Sequence, residues 1–277
     1  MNILVLANRD LASNYALNLL LPALATEHQL TLWLSAQVGG NSANQSNNRP
    51  EALNTLKFFE QSLFNDLVEP LLPESSVIGK FCGFAGFNHY LKTPHQIVNN
   101  LNTVPALAEL KALAPDVILS IRYGCILRSE AIQTARLGVL NFHSGILPDY
   151  RGVMATFWSM LNGAKQIGAT LHTIDDASID TGDIIAIVKQ PVIADQCYLA
   201  HVLSLYQDGV IAMQNAVATL AAGQPLNKLP QPAGGNYFSF PTSADLARFS
   251  AQQQTLVDPQ FWLSFIQQYY LPAPLNL

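Results

Sequence analysis

The sequence predicts an α/β protein with a mostly parallel sheet, helices on both faces and a short C-terminal extension. Three observations carry this. The runs "NILVLA", "QLTLWLS", "DVILSI" and "GVLNFH" are almost continuously apolar, as strands buried on both faces are. Segments of helical period separate them, the alternation that builds parallel sheets. With 277 residues the chain can bury one large core.

In chain order, "NILVLA" from Asn2 is a strand, "NYALNLLLPALATE" a helix that Pro22 is expected to kink, and "QLTLWLS" the next strand, giving βαβ. The polar "VGGNSANQSNNRPEA" from Val38 reads as loop, and Glu51 to Leu67 as helix. Over residues 70–96, Gly79, Gly83 and Gly86 interrupt an aromatic run, so a surface excursion or a weak strand is expected. Val104 to Ala114 is helical, "APDVILSI" a strand, "RSEAIQTA" a short helix and "GVLNFH" a strand. Next come the helix "MATFWSMLNGA", stopping near Gly163, and the strands "IGATLHTI" and "GDIIAIVKQPV". One amphipathic helix is expected from about Tyr198 to Ala222. These elements make a first domain, residues 1–222. Residues 223–277 form the extension: the linker "LPQPAGGNYFSFP", a helix capped at Thr242 with Asp245 three residues on, and the aromatic helix "PQFWLSFIQQYY".

Composition narrows the function. Fourteen basic against 19 acidic residues, a balance of −5, give no cationic field for nucleic acid. No apolar run reaches the roughly 18 residues of a membrane span, and "MNILVLANRDLA" lacks the features of an export signal, so a cytoplasmic, membrane-free protein is expected. Cys82, Cys125 and Cys197 are odd in number and form no CxxC pair, so each is read as a small buried residue and no metal is expected. The G-x-G-x-x-G cradle, the phosphate-binding P-loop and the G-x-S-x-G elbow are all missing.

What remains is "NFHSGILPDYRG", residues 141–152. Strand side chains alternate, so Asn141 and His143 point to one face and Phe142 to the other. They stand at a strand's carboxyl end, where open α/β sheets bind ligands. A second polar cluster, "HTIDDASIDTGDII", supplies Asp175, Asp176, Asp180 and Asp183. An amide can donate to an oxyanion, an imidazole can exchange protons and a carboxylate can orient it. Asn, His and Asp without a nucleophile suit direct acyl transfer to an amine held in place. His172, Phe157 and Trp158 are expected to pack in the core, and Arg122 to meet a carboxylate or a phosphate, a salt bridge to a neighbouring aspartate being equally open.

The span from about Asp116 to Val188 resembles the N10-formyltetrahydrofolate-dependent formyltransferases, through "NFHSGILPDYRG", "FWSMLNG", "GATLH" and "IDTGDII" in order. The resemblance implies a Rossmann-like fold and N10-formyltetrahydrofolate as formyl donor. It implies Asn141, His143 and Asp180 as the catalytic residues. It further implies a pterin-binding loop at Arg122, Tyr123, Gly124, Cys125, Ile126 and Leu127, with "DDASI", including Asp176 and Ile179, as the other wall. Gly145 stands where the relatives carry serine, with Ser144 one position early, and the turn before Asp180 is one residue longer. The implied activity is formyl transfer to a primary amine of a small molecule, an amino-sugar nucleotide among the candidates. The methionyl-tRNA formyltransferases resemble this chain in the catalytic region, but the acidic, short tail does not match their larger basic C-terminal domain. Two alternatives stay open: a hydrolase that uses water as acceptor, and a folate-binding module without turnover. "NYFSF" could stack a base, or Tyr237 and Phe238 could pack on the core or a partner subunit; the aromatic tail is compatible with a homodimer.

Overall fold

A computed structural model describes residues 1–36, 49–73 and 79–272. Among them seven strands form one sheet of order β3-β2-β1-β4-β5-β7-β8. The strands β1 (Asn2–Asn8), β2 (Gln29–Ser35), β3 (Gln96–Ile97), β4 (Val117–Ile121) and β5 (Val139–His143) pair in parallel. At the other edge β7 (Gln166–Thr173) runs antiparallel to β5, and β8 (Ile184–Pro191) antiparallel to β7. A separate pair joins β6 (Tyr150–Gly152) to β9 (Asn236–Phe238). The architecture is the mostly parallel, helix-flanked sheet that the sequence predicts.

Both faces are covered, and the pleat divides the strands between two cores. Ile3, Val5 and Ala7 of β1 join Leu140 and Phe142 of β5 beneath α1 (Leu11–Leu24), α6 (Tyr198–Ser204) and α7 (Tyr206–Ala221). Leu4, Leu6 and Val139 meet α3 (Val104–Leu113) and α4 (Ser129–Ile132) on the opposite side. No helix among the described residues is long and apolar enough to cross a membrane.

Several elements depart from expectation for local reasons. Helix α1 starts at Leu11, because buried Asp10 caps it by accepting from the Ser13 amide at 2.7 Å. Pro22 lies within its last turn. The helix expected over 198–222 divides at Leu205 into α6 and α7. Helix α2 (Glu51–Lys57) continues in π-helical winding from Phe58 to Val68. The expected loop from Val38 falls mostly outside the described residues. Residues 79–90 are no mere surface excursion: Cys82, Phe84 and Phe87 are buried in the main core. The weak strand is β3, at the sheet's edge. Cys125 corrects the reading of three buried cysteines, since only Cys82 and Cys197 are buried and Cys125 is half-buried.

The C-terminal helices share that core. Helix α8 (Ser243–Ala251) carries the Thr242–Asp245 cap, with the Thr242 amide donating to Asp245 at 2.9 Å. Helix α9 (Pro259–Tyr269) buries Trp262, Phe265 and Ile266. Tyr270 follows, its hydroxyl donating to Asn14 of α1 at 2.8 Å.

Strand β1 feeds β2 on one side while β4 lies on the other, so the strand order reverses between β1 and β4. A buried charge network fills this point. The Arg122 guanidinium, turned back by a φ of 56°, donates from Nε to Asp10 at 3.0 Å and from Nη2 to Glu60 at 3.0 Å. Two carboxylates share one cation. Burial pushes Glu60 up to about 7, against the pull of Arg122 and with the help of the Asp10 charge.

Two predictions follow from this packing and charge. Gly209 of α7 lies under the Phe142 ring, and a Cβ built there would come within 1.9 Å of its Cζ. Alanine would gain about 1 kcal/mol of helix propensity, but the overpacking should cost more, so Gly209→Ala should lower the denaturant midpoint by the equivalent of about 1–3 kcal/mol. A raised midpoint would show that the ring yields freely. The Glu60 pKa is raised in the folded state, so its contribution to stability is fully present below the unfolded value and is lost as pH rises through about 7. The stability difference between wild type and Glu60→Gln should therefore move against the wild type as pH rises from about 4.5 to about 7; urea melts showing a constant difference over that range would contradict the assignment.

Candidate active site

Asn141 and His143 sit on the β5 face opposite to Phe142, and the antiparallel neighbour β7 decides what they meet. Its register sets His172 across from Asn141 and Thr170 across from His143. The Asn141 Nδ2 lies 3.1 Å from His172 Nε2. His172 Nδ1 lies 2.7 Å from the Thr173 carbonyl, which can only accept, so Nδ1 carries hydrogen. The expected packed histidine is indeed buried, at 1% exposure, and is also the pivot that orients Asn141.

Asp180 enters from the loop between β7 and β8. Its Oδ2 lies 3.5 Å from His143 Nδ1, and its Oδ1 3.5 Å from His172 Nε2. The Gly152 amide donates to Oδ2 at 2.8 Å. Burial alone would raise this carboxyl, but the charge of His143, the hydrogen bond with His172 and the Gly152 amide overcome it and hold Asp180 at about 2. The residue adopts a left-handed φ of 55°, which aspartate tolerates better than most. Gly152 has a φ of 95°, and a Cβ on it would strike the Phe238 carbonyl at 2.1 Å, so the amide reaches Asp180 only because no side chain stands there.

The second ring nitrogen of His143, Nε2, faces the Tyr150 carbonyl at 2.6 Å. Both nitrogens thus look at oxygens that accept, a setting that an imidazole with two N–H groups satisfies. Gly145, the departure from the serine pattern, has a steric reason. A Cβ there would lie 2.5 Å from Ala155 Cβ and 2.6 Å from both His143 Nε2 and the Tyr150 carbonyl. A side chain at 145 would displace the His143–Tyr150 contact.

The two loops read as donor walls differ in what they expose. Arg122 is committed to Asp10 and Glu60, as the salt-bridge alternative allowed. Tyr123 packs against the α3–α4 side, where Leu127 is buried, while Ile126 is exposed. The Gly124 amide donates to Ser35 Oγ at 2.9 Å, and Asn102 Nδ2 donates to the Ile126 carbonyl at 2.8 Å, which pins this backbone. The Cys125 sulfur sits beside Asn102. On the other wall Asp176 accepts from the Ser178 amide at 2.7 Å in a local turn, and Ile179 is exposed. Three partners escaped the sequence reading: the Tyr150 carbonyl, the Gly152 amide and Gln231, whose Nε2 donates to the carbonyls of Asp180 and Gly182. Tyr150 and Gly152 at least stand in the quoted run "NFHSGILPDYRG", whereas Gln231 carries no local signal. Among the described residues no group of three His, Cys, Asp or Glu side chains is arranged to hold a metal ion.

Residues 91–202 match the family model described as formyl transferase. A methionyl-tRNA formyltransferase of Synechococcus sp. (strain JA-3-3Ab) is 35% identical over 125 residues, 45% of this chain and 38% of the relative. That of Ectopseudomonas mendocina (strain ymp) is 33% identical over 138 residues, 50% of this chain and 44% of the relative. The match thus spans about two fifths of the length of these curated relatives. Among solved structures, an N-formyltransferase from Helicobacter canadensis, in complex with folinic acid and dTDP-3-aminofucose, aligns with a TM-score of 0.58 at 15% identity over 94% of this chain and 82% of that one. Glycinamide ribonucleotide transformylase 1 from Symbiobacterium toebii aligns at 0.54 and 16% identity over 84% and 94%. These distant structures share the fold, and over residues 91–202 the sequence matches the formyl transferase family model.

Proposed function

We propose that this protein transfers a formyl group from N10-formyltetrahydrofolate to a primary amine of a small-molecule acceptor. One observation carries the reading: an amide, two imidazoles and an ionised carboxylate converge where β5 and β7 meet, with Asp180 touching both rings at 3.5 Å. The donor would supply the electrophilic formyl carbon. The exposed apolar side chains Ile126 and Ile179, on the 122–127 and 174–183 loops, offer surfaces that suit a flat pterin ring.

In this reading each residue has a distinct task. Asn141, set against His172, directs an amide N–H to the oxyanion of the tetrahedral intermediate. His143 exchanges the Tyr150 carbonyl for the same oxyanion through Nε2–H. Asp180, ionised far below neutral pH, holds the imidazolium by charge and takes the amine proton, directly or through water. The amine nitrogen bonds to the formyl carbon, the bond to N10 breaks, and N10 leaves with a proton. An amino-sugar nucleotide is the acceptor class favoured here, supported by the Helicobacter canadensis neighbour described with dTDP-3-aminofucose. The acidic balance of −5 weighs against a tRNA acceptor.

A panel of amino-sugar nucleotides, amino acids and amine metabolites, incubated with the formyl donor and followed by mass, should reveal one acceptor that gains a single formyl group. On that acceptor Asp180→Asn should lower kcat by roughly 10²–10⁴-fold while the donor's dissociation constant changes little. Retained turnover would remove Asp180 from the reaction, and formate release without an amine would identify water as the acceptor.

A further inference from the structure

The segment after the matched region returns to the candidate site. Leu229 pairs with Ile184 at the start of β8, the Ile184 amide donating at 2.8 Å and the Leu229 amide at 2.9 Å. Two residues on, the Gln231 carboxamide turns inward. Its Nε2 donates to the Asp180 carbonyl at 2.9 Å and to the Gly182 carbonyl at 2.7 Å. Because both partners are carbonyls, the NH2 end must face them, so chemistry fixes the orientation of the amide. Both of its protons are used, one on each side of Thr181.

The carbonyls so held bracket the turn that aims the Asp180 carboxylate. Asp180 is left-handed at φ 55°, a sparsely populated conformation that these contacts help to hold. Downstream, β9 pairs with β6 in the register Gly152↔Phe238, and the Gly152 amide donates to the same carboxylate. Arg151 Nη2 ties in as well, donating to the Gly234 carbonyl at 3.3 Å. Residues 229–238 thus secure the backbone of Asp180 from one side and its amide donor from the other. Residue 231 lies 29 positions beyond the end of the formyl transferase match at 202.

We propose that Gln231 is a positioning residue for Asp180, and that the segment 229–238 is a built part of the active site rather than a linker leading to the terminal helices. The inference rests on the reading of Asp180 given above, but its test does not need an acceptor. In the full chain, amide exchange should be followed at Gly152 and at residues 181–183, with β1 and β4 amides as reference, in the wild type, Gln231→Met and Gln231→Lys. Methionine keeps the length and loses both donors; lysine keeps N–H donors at similar reach. Gln231→Met should speed exchange at these amides about tenfold with the reference amides unchanged, and the Asp180 carboxyl should titrate at higher pH than in the wild type. Gln231→Lys should restore both. Unchanged exchange in Gln231→Met, or a rise shared equally by β1 and β4, would overturn the proposal by reducing Gln231 to a bystander or to general packing. Binding of 5-formyltetrahydrofolate to the wild type is measured alongside: its absence would defeat the formyl-transfer reading while leaving the exchange result to decide the role of Gln231.

Discussion

A carboxylate taken out of water must either accept a proton or be surrounded by donors, because the desolvation of an unpaired charge exceeds what a fold of marginal stability can bear. Asp180 stays charged, held at about 2, because two imidazoles and one peptide amide meet its two oxygens. Each donor comes from a different element. His143 ends β5, His172 lies on β7, Gly152 belongs to β6, and the loop carrying Asp180 spans β7 and β8. The local fold is therefore determined jointly, and none of these elements can shift without leaving a buried polar group unpaired.

This constraint explains features that would otherwise look incidental. Antiparallel pairing of β7 with β5 places Asn141 directly opposite His172, where a parallel strand would stagger the bonds. The absence of a side chain at Gly145 leaves the His143 ring room to reach the Tyr150 carbonyl. The second charge cluster, Asp10, Arg122 and Glu60, follows the opposite logic. There two carboxylates compete for one guanidinium, and the more weakly favoured, Glu60, is pushed toward protonation. That cluster braces the point where strand order reverses. The N-terminus of α1, which in such folds can receive an anion, is capped by the chain's own Asp10.

The sheet was legible because strands buried on both faces write themselves as apolar runs, and "NILVLA" or "GVLNFH" has few other readings. The Asn141 and His143 pair was legible through strand alternation, whereas Asp180 stood out from its neighbouring acids only through the family resemblance carried by "IDTGDII", and bare spacing could not say that the three converge. What escaped was set through space. Arg122 finds Glu60 across 62 positions and Asp10 across 112, and Gln231 finds Asp180 across 51, so no local periodicity reports them. The break at Leu205 and the burial of Phe84 and Phe87 likewise depend on what packs against them. Propensity describes a segment, whereas burial describes its neighbours.

The most direct measurement is the titration of Asp180 itself, by the carboxyl carbon resonance of ¹³C-labelled protein, assigned by comparison with Asp180→Asn. A carboxylate held by two imidazoles and the Gly152 amide should keep its ionised shift to the acid limit of the folded state, since its midpoint lies at about 2. A midpoint near 4, the ordinary value of an aspartate in water, would mean that the donors do not converge on it, and the account of the site would fail with that result.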